Sequence, residues 1–289
     1  MSKQMNRAIL YAVMDRYLAA LSAKNAARVE WARGVRNSEN NVMIPTGEGL
    51  WGTIDRLGDY KLCFADIKTG EVGYFGTVHE PLEESALTIR LKVDGQGKVA
   101  EVETIVVRQS DSGIKFENPR YWDKPILNAN ATKPDSREDM IALADGYFST
   151  LQLNDGTLHT KFHPDADRVE NGVQTTHNPE FAKIVPVSAL GCEEQFRMGN
   201  YRYDDRLRGR RFPLVDEERG LVLAFGFIDH SGKLDTYQLT DGRTVKSPVR
   251  RPHSFYLAEL FKIEDGMIWQ IEANFITVPY WMPSPWDGK

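Results

Sequence analysis

The chain has 289 residues, 41% of them hydrophobic and 27% charged, with a formal net charge of −5. That balance suits one large globular domain or two ordinary ones, is too apolar for a disordered chain, and gives no basic face for nucleic acid. Asp15 and Arg16 interrupt the apolar N-terminal stretch, no run approaches the about 18 apolar residues of a membrane span, and Cys63 and Cys192 lack metal-type spacing. A cytoplasmic protein with buried free thiols and no membrane partner is expected.

In chain order, Ile9, Ala12, Val13, Leu18 and Leu21 recur near helical spacing and predict a first helix, followed by a short second one over roughly residues 25–33. Tyr60–Ile67, Val72–His79, Ala86–Val93 and Val99–Arg108 read as strands of a mostly antiparallel meander. The turns between them include Lys68-Thr69-Gly70-Glu71 and Asp94-Gly95-Gln96-Gly97. Residues 109–134 are rich in Asn, Pro and Lys and make a natural linker. Asp135-Ser136 then caps a helix carrying Ile141, Ala144, Tyr147, Phe148 and Leu151, with a short helix over roughly 157–163. The chain closes on a hairpin: Ser254–Ile263, Glu264-Asp265-Gly266, Met267–Val278.

The two halves repeat. Asp15-Arg16-Tyr17-Leu18 matches Asp145-Gly146-Tyr147-Phe148 at an offset of 130. Arg36 through Val42 resembles Arg168 through Val173, and Tyr74-Phe75-Gly76-Thr77-Val78 parallels Ala224-Phe225-Gly226-Phe227-Ile228 at an offset of 150. Lys92-Val93-Asp94 through Glu103 parallels Lys262-Ile263-Glu264 through Glu272. Four collinear matches indicate a duplicated domain whose second copy carries two insertions of about 20 residues each. The expected fold class is α+β: two fused cone-shaped domains, residues 1–110 and 135–289, joined by a linker over 111–134. In each, helices pack inside a curved sheet.

The helix signature Val13-Met14-Asp15-Arg16-Tyr17, the run Phe162-His163-Pro164-Asp165-Ala166-Asp167-Arg168-Val169-Glu170-Asn171 and the final glycine-turn hairpins resemble the SnoaL-like (nuclear transport factor 2-like) superfamily, which includes ketosteroid isomerase, scytalone dehydratase and polyketide cyclases. With Arg210-Arg211-Phe212-Pro213-Leu214 through Gly220, the arrangement also resembles double-domain SnoaL-like proteins of fungi and bacteria, a broad group with formaldehyde-releasing lyases of lignin-derived diaryl compounds. The resemblance implies an apolar pocket open at one end of each cone, where acid–base chemistry needs no cofactor.

Position by position, the oxyanion tyrosine of ketosteroid isomerase falls on Tyr17 and Tyr147, and its aspartate base on Asn40 and Asn171, which cannot act as bases but could orient a substrate oxygen. Its second acid falls on Glu259, whose counterpart in the first half is Ile89. Strand alternation sets Phe255, Leu257, Glu259, Phe261 and Ile263 on one face with His253 at its start. A carboxyl among such neighbours is protonated or paired; the bland alternative is a solvated glutamate on the other face. The first half thus reads as an apolar scaffold and the second as the active one. Tyr147, Glu259 and His253 are the candidate catalytic residues. Asn171, Phe225, Phe255, Phe261, Trp269 and Arg210 are candidate substrate contacts, Arg210 only if the arginine-rich segment 202–211 folds over the pocket mouth. Otherwise that segment is an ion-paired surface loop. Glu103 and Glu272 are expected to face outward, and His159, His163 and His177 to lie near the pocket rim without metal-ligand context.

There is no G-x-G-x-x-G after a strand, no P-loop and no G-x-S-x-G. The expected function is a cofactor-independent lyase (elimination or retro-aldol type) or isomerase acting on a small aromatic, phenolic compound, in a homo-oligomer. The alternative is a non-catalytic small-molecule-binding or dimerisation module.

Overall fold

A computed structural model describes residues 5–108 and 135–287, which form two compact units. The predicted linker 111–134 lies outside the described residues.

In the first unit, helix α1 (Arg7–Ser22) is capped by the Asn6 side chain, which accepts from the Ile9 amide at 2.9 Å. Its apolar stripe, Leu10, Val13, Met14, Tyr17 and Leu21, is buried against strands β3 (Arg56–Asp66), β4 (Glu71–His79) and β5 (Glu84–Val93). With β1 (Trp31–Glu39), β2 (Val42–Met43) and β6 (Val99–Val107) these make a six-stranded sheet of order β2-β1-β6-β5-β4-β3. Helix α2 (Leu50–Thr53) is a single turn.

The second unit repeats the plan. Helix α3 (Arg137–Leu153) is capped by Ser136, with Glu138 and Asp139 in its first turn, where acids favour the helix dipole. Strands β7 (Phe162–Glu170), β8 (Val173–Gln174), β9 (Arg206–Asp216), β10 (Leu221–His230), β13 (His253–Glu264) and β14 (Met267–Val278) pair in the order β8-β7-β14-β13-β10-β9, the same order as in the first unit. Each unit is therefore the α+β cone expected, a helix cradled by a curved sheet. The two insertions fall at loops. One, between β8 and β9, carries helix α4 (Cys192–Arg197) and two short 3-10 turns. The other, between β10 and β13, forms the separate hairpin of β11 (Thr236–Gln238) and β12 (Thr244–Lys246).

Two expectations are corrected. The short helices placed at 25–33 and 157–163 are not helices: Ala26–Arg28 is one 3-10 turn leading into β1, and β7 begins at Phe162. β1 and β7 are then the edge-side strands that pair in parallel with β6 and β14, so each sheet is mixed. Helix propensity over so short a stretch is a weak prior, and the open backbone edge of β6 or β14 overrides it. In the second unit the approach of residues 157–161 to α3 depends on Gly146, where a Cβ would lie 2.2 Å from the His159 carbonyl oxygen. The first copy has Arg16 at that position.

The duplication is most exact at one asparagine. Asn40 and Asn171 sit at the β1–β2 and β7–β8 tips with positive φ (50° and 46°), a conformation asparagine tolerates better than most residues. Each side chain mimics a strand's backbone. Asn40 accepts from Val106 N at 2.8 Å and donates to Val106 O at 3.1 Å; Asn171 accepts from Phe275 N at 2.8 Å and donates to Phe275 O at 3.0 Å. Asn171 is thus a structural clasp and its amide is not presented to a substrate. Asn40→Ala and Asn171→Ala should each destabilise the protein by about 2–3 kcal/mol, from two buried hydrogen bonds and a left-handed φ. Urea unfolding at constant pH measures this, and a loss below about 0.5 kcal/mol would contradict the clasp.

Candidate functional site

The interior of the second unit is built around a buried charge. Arg168, on β7, is almost entirely buried, and its guanidinium is met from several elements. Nε donates to Thr175 Oγ1 at 3.1 Å, one terminal nitrogen donates to the Tyr147 hydroxyl at 3.4 Å, and the other donates to Gln195 Oε1 and the Tyr201 hydroxyl, both at 2.6 Å. The Tyr201 hydroxyl in turn donates to Gln195 Oε1. Gln195 is itself fixed by donating to the carbonyls of Thr175, Val187 and Leu190. A carboxylate, Glu170, lies 3.5 Å from Nε. Gln195 and Tyr201 belong to the insertion between β8 and β9, so the added segment supplies half of this network.

Glu259 points into the same interior. It shares the inner face of β13 with Leu257, Phe261 and Ile263, all in the core, and is 3% exposed. Burial pushes its pKa up to about 8, Glu170 adds to the rise, and Arg168 and a hydrogen bond from Tyr147 oppose it. The Tyr147 phenol is raised further above its ordinary range, first by burial and then by Glu259, and stays neutral. Its ring meets Phe148, Phe162, Phe196 and Phe261 edge-on at 5.1–6.2 Å. Cys192, pushed up to about 12 by burial, is an inert thiol.

Tyr147, Glu259 and Phe261 are therefore brought together, and the other proposed residues stand apart. His253 ends the inner face of β13 six residues from Glu259 and stacks on His230. Phe255 lies beside it, against Phe275. Phe225 is on the opposite face of β10, stacked on Tyr256 and covered by Arg211, because the inward residues of that strand are Val222 and Ala224. Trp269 is taken off the inner face by a bulge: Lys262 pairs with Gln270 but Ile263 with Ile268, so Ile268 and Ile271 point inward and Trp269 stacks on His163. Arg210 lies on strand β9, not in a loop, and is occupied by Asp145 Oδ1 at 3.0 Å and Ser149 Oγ at 2.9 Å on α3. Glu103 and Glu272 follow the core residues Val102 and Ile271 and so take the outer face, as expected, yet they are buried; Glu103 pairs with Arg90 at 2.9 Å.

At three equivalent positions the first unit has Leu18, Asn37 and Ile89 where the second has Phe148, Arg168 and Glu259, so the second interior gains a ring, a guanidinium and a carboxyl. The first unit keeps a hollow of about 260 Å³ counted to its mouth, with room for about one water, lined by Tyr17, Asn37, Glu39, Trp51, Ile89 and Thr104. That lining is not purely apolar, as the sequence suggested. Of its two acids, Glu39 and Glu48, the first is already engaged: Glu39 accepts from the Leu50 amide at 2.7 Å and lies 3.9 Å from Arg108. In the second unit a wider groove of about 1040 Å³, counted the same way, runs along the N-terminal half of α3, lined by Asp135, Asp139, Leu143, Leu158, His159 and Lys161 and not by Tyr147 or Glu259. Among the described residues no group of three or more His, Cys, Asp or Glu is placed to hold a metal ion, and no helix is long and apolar enough to cross a membrane.

Arg168, Gln195 and Tyr201 escaped sequence reasoning. A lone arginine in a strand carries no motif, and an insertion has no counterpart in the first half to mark it.

Residues 133–275, just under half of the chain, are similar to a family described as a domain of unknown function (DUF8021). No curated protein matches the sequence. Similar solved structures include a protein titled "putative isomerase of the SnoaL-like family" from Agrobacterium tumefaciens (11% identity, 35% of this chain and 99% of that one, TM-score 0.26). Another is titled a polyketide cyclase, also "putative", from Silicibacter (14%, 48% and 89%, TM-score 0.31). A third is an uncharacterized protein with a cystatin-like fold from Caulobacter vibrioides (18%, 49% and 88%, TM-score 0.28).

Glu259 makes the stability of the second unit depend on pH. Its pKa is about 8 when folded against an ordinary 4.5. Below the ordinary value both states are protonated and nothing is lost. As pH rises toward 8 only the unfolded chain ionises, so stability falls. The free energy of unfolding, taken as the difference between the native protein and Glu259→Gln, should drop by up to about 1.4 kcal/mol per pH unit between about pH 5 and 8. Urea titrations at several pH values test it, and a flat difference contradicts a protonated Glu259.

Proposed function

We propose that the second unit is a cofactor-independent lyase or isomerase for a small phenolic compound, with Glu259 as proton donor and Tyr147 and Arg168 as partners for the oxygen that gains charge. The observation that carries this reading is the contrast at one register position. Ile89 fills the site in the first unit and is fully buried, so the fold needs no acid there, yet the second unit bears the burial of Glu259. Groups kept at such a cost beside a buried phenol and a guanidinium suit proton transfer in a dry site.

In an elimination, Glu259 gives its proton to a departing hydroxyl, which leaves as water. The resulting carboxylate, beside Arg168, takes the proton released from the neighbouring carbon and is restored. In a retro-aldol loss of formaldehyde Glu259 protonates the carbon left behind as the C–C bond breaks, and its carboxylate takes the proton released by the hydroxymethyl O–H. A substrate reaches Glu259 by displacing a side chain, and Tyr201, a partly exposed ring of the network, is the one we assign to that movement.

The test pairs activity with stability. Native protein is screened against phenolic alcohols, with loss of water or formaldehyde followed by mass spectrometry. Glu259→Gln and Tyr147→Phe should lower turnover by about a hundredfold or more while remaining folded. Glu259→Ile should be inactive and melt higher than the native protein, since it restores the residue of the first unit. Full activity in Glu259→Gln, or a lower melting temperature for Glu259→Ile, would overturn the proposal.

A further inference from the structure

The inner face of β13 ends in a second cluster that Glu259 does not serve. His230 and His253 are directly opposed across β10 and β13, which sets both rings on the face that also carries Phe255 and Leu257. They stack with centroids 4.5 Å apart and planes 14° apart, and Phe255 meets the His230 ring edge-on at 4.8 Å. Phe275 and Tyr203 complete the surround, at 4.7 Å from Phe255 and 6.2 Å from His230. His253, Phe255, Phe275 and Tyr203 are all partly exposed, so the cluster opens to solvent.

His230 is 1% exposed, and its Nε2 lies 2.8 Å from Oδ1 of the buried Asp204, which stands where the first unit has Ile54. A carboxylate that accepts the Nε2 proton fixes the imidazole tautomer and leaves a lone pair on Nδ1. That Nδ1 is buried and has no hydrogen-bond partner among the described residues. Buried polar atoms are nearly always paired, so an oriented, basic nitrogen left open points to a missing donor. The surround defines the donor's chemistry. Aromatic walls select a flat ring. The Asp204 carboxylate behind the imidazole disfavours an anion, and the lone pair requires an O–H or N–H.

We propose that Asp204 and His230 form an accepting dyad for the hydroxyl of a neutral phenol, whose ring lies among Phe255, Phe275 and Tyr203. The phenol donates its O–H to Nδ1. On full transfer the proton resides on Nδ1, giving an imidazolium held by Asp204 and a phenolate against it. His253 is the cover: its ring is tethered by donation from Nδ1 to the Arg251 carbonyl at 3.0 Å, and turning it away exposes the dyad. The site lies roughly 20 Å along β13 from Glu259, so it does not require Glu259 to act as an acid.

The test uses para-nitrophenol, whose phenolate absorbs visibly, titrated into the full chain at a pH about one unit below the dye's own pKa. Native protein should bind it saturably and raise the phenolate fraction. His230→Gln, which keeps an Nε2-like donor for Asp204 but lacks Nδ1, should bind at least about tenfold more weakly and give no phenolate rise. Asp204→Asn should retain binding and lose most of the rise. Absence of saturable binding to native protein, or a His230→Gln variant with unchanged affinity and phenolate fraction, would overturn the proposal.

Discussion

A guanidinium enclosed in an apolar interior has to be answered by acceptors on every side, and the second unit is organised around meeting that demand for Arg168. Its cost of burial is high unless each N–H is paired. Tyr147 comes from the helix, Thr175 from the β8 end, and Gln195 and Tyr201 from a segment added between strands. The same enclosure keeps Glu259 protonated: with Glu170 already beside the guanidinium, a second ionised carboxyl has little left to neutralise it. The positive charge, the neutral acid and the neutral phenol are one electrostatic arrangement.

The two units show how far one architecture can be refilled. Strand order, the parallel pair at the sheet edge and the asparagine clasp are identical, because backbone hydrogen bonding dictates them. The interior differs, because side chains on the inner face can be exchanged as long as volume is filled and polar atoms are paired. Asn37 and Ile89 line a small hollow in the first unit; in the second their places are taken by the buried Arg168 and Glu259.

The insertions do more than lengthen loops. The segment between β8 and β9 brings Gln195 and Tyr201 to Arg168, whereas Asp204 reaches His230 from a position the first unit also has, as Ile54. Loops tolerate insertion because their backbone meets water; once present, they can donate side chains to an interior whose scaffold is set by the strands.

The family resemblance put Tyr147 with Glu259; periodicity and the internal repeat were enough to establish the duplicated α+β domain, the helix cap at Ser136 and the face of β13 shared by Glu259 and Phe261. These follow from local rules: helical and strand periods fix which side a residue takes, and a repeat fixes which positions correspond. Only the tertiary structure decided the parallel pairing of β1 and β7, the bulge that turns Trp269 away, the opposite facing of Phe225, and the meeting of Arg168 with Gln195 and of His230 with Asp204. The first depends on which backbone edge is free and the second on a one-residue slip that reverses every later side chain. The last two depend on residues far apart in sequence sharing one small volume, and no local pattern carries that information.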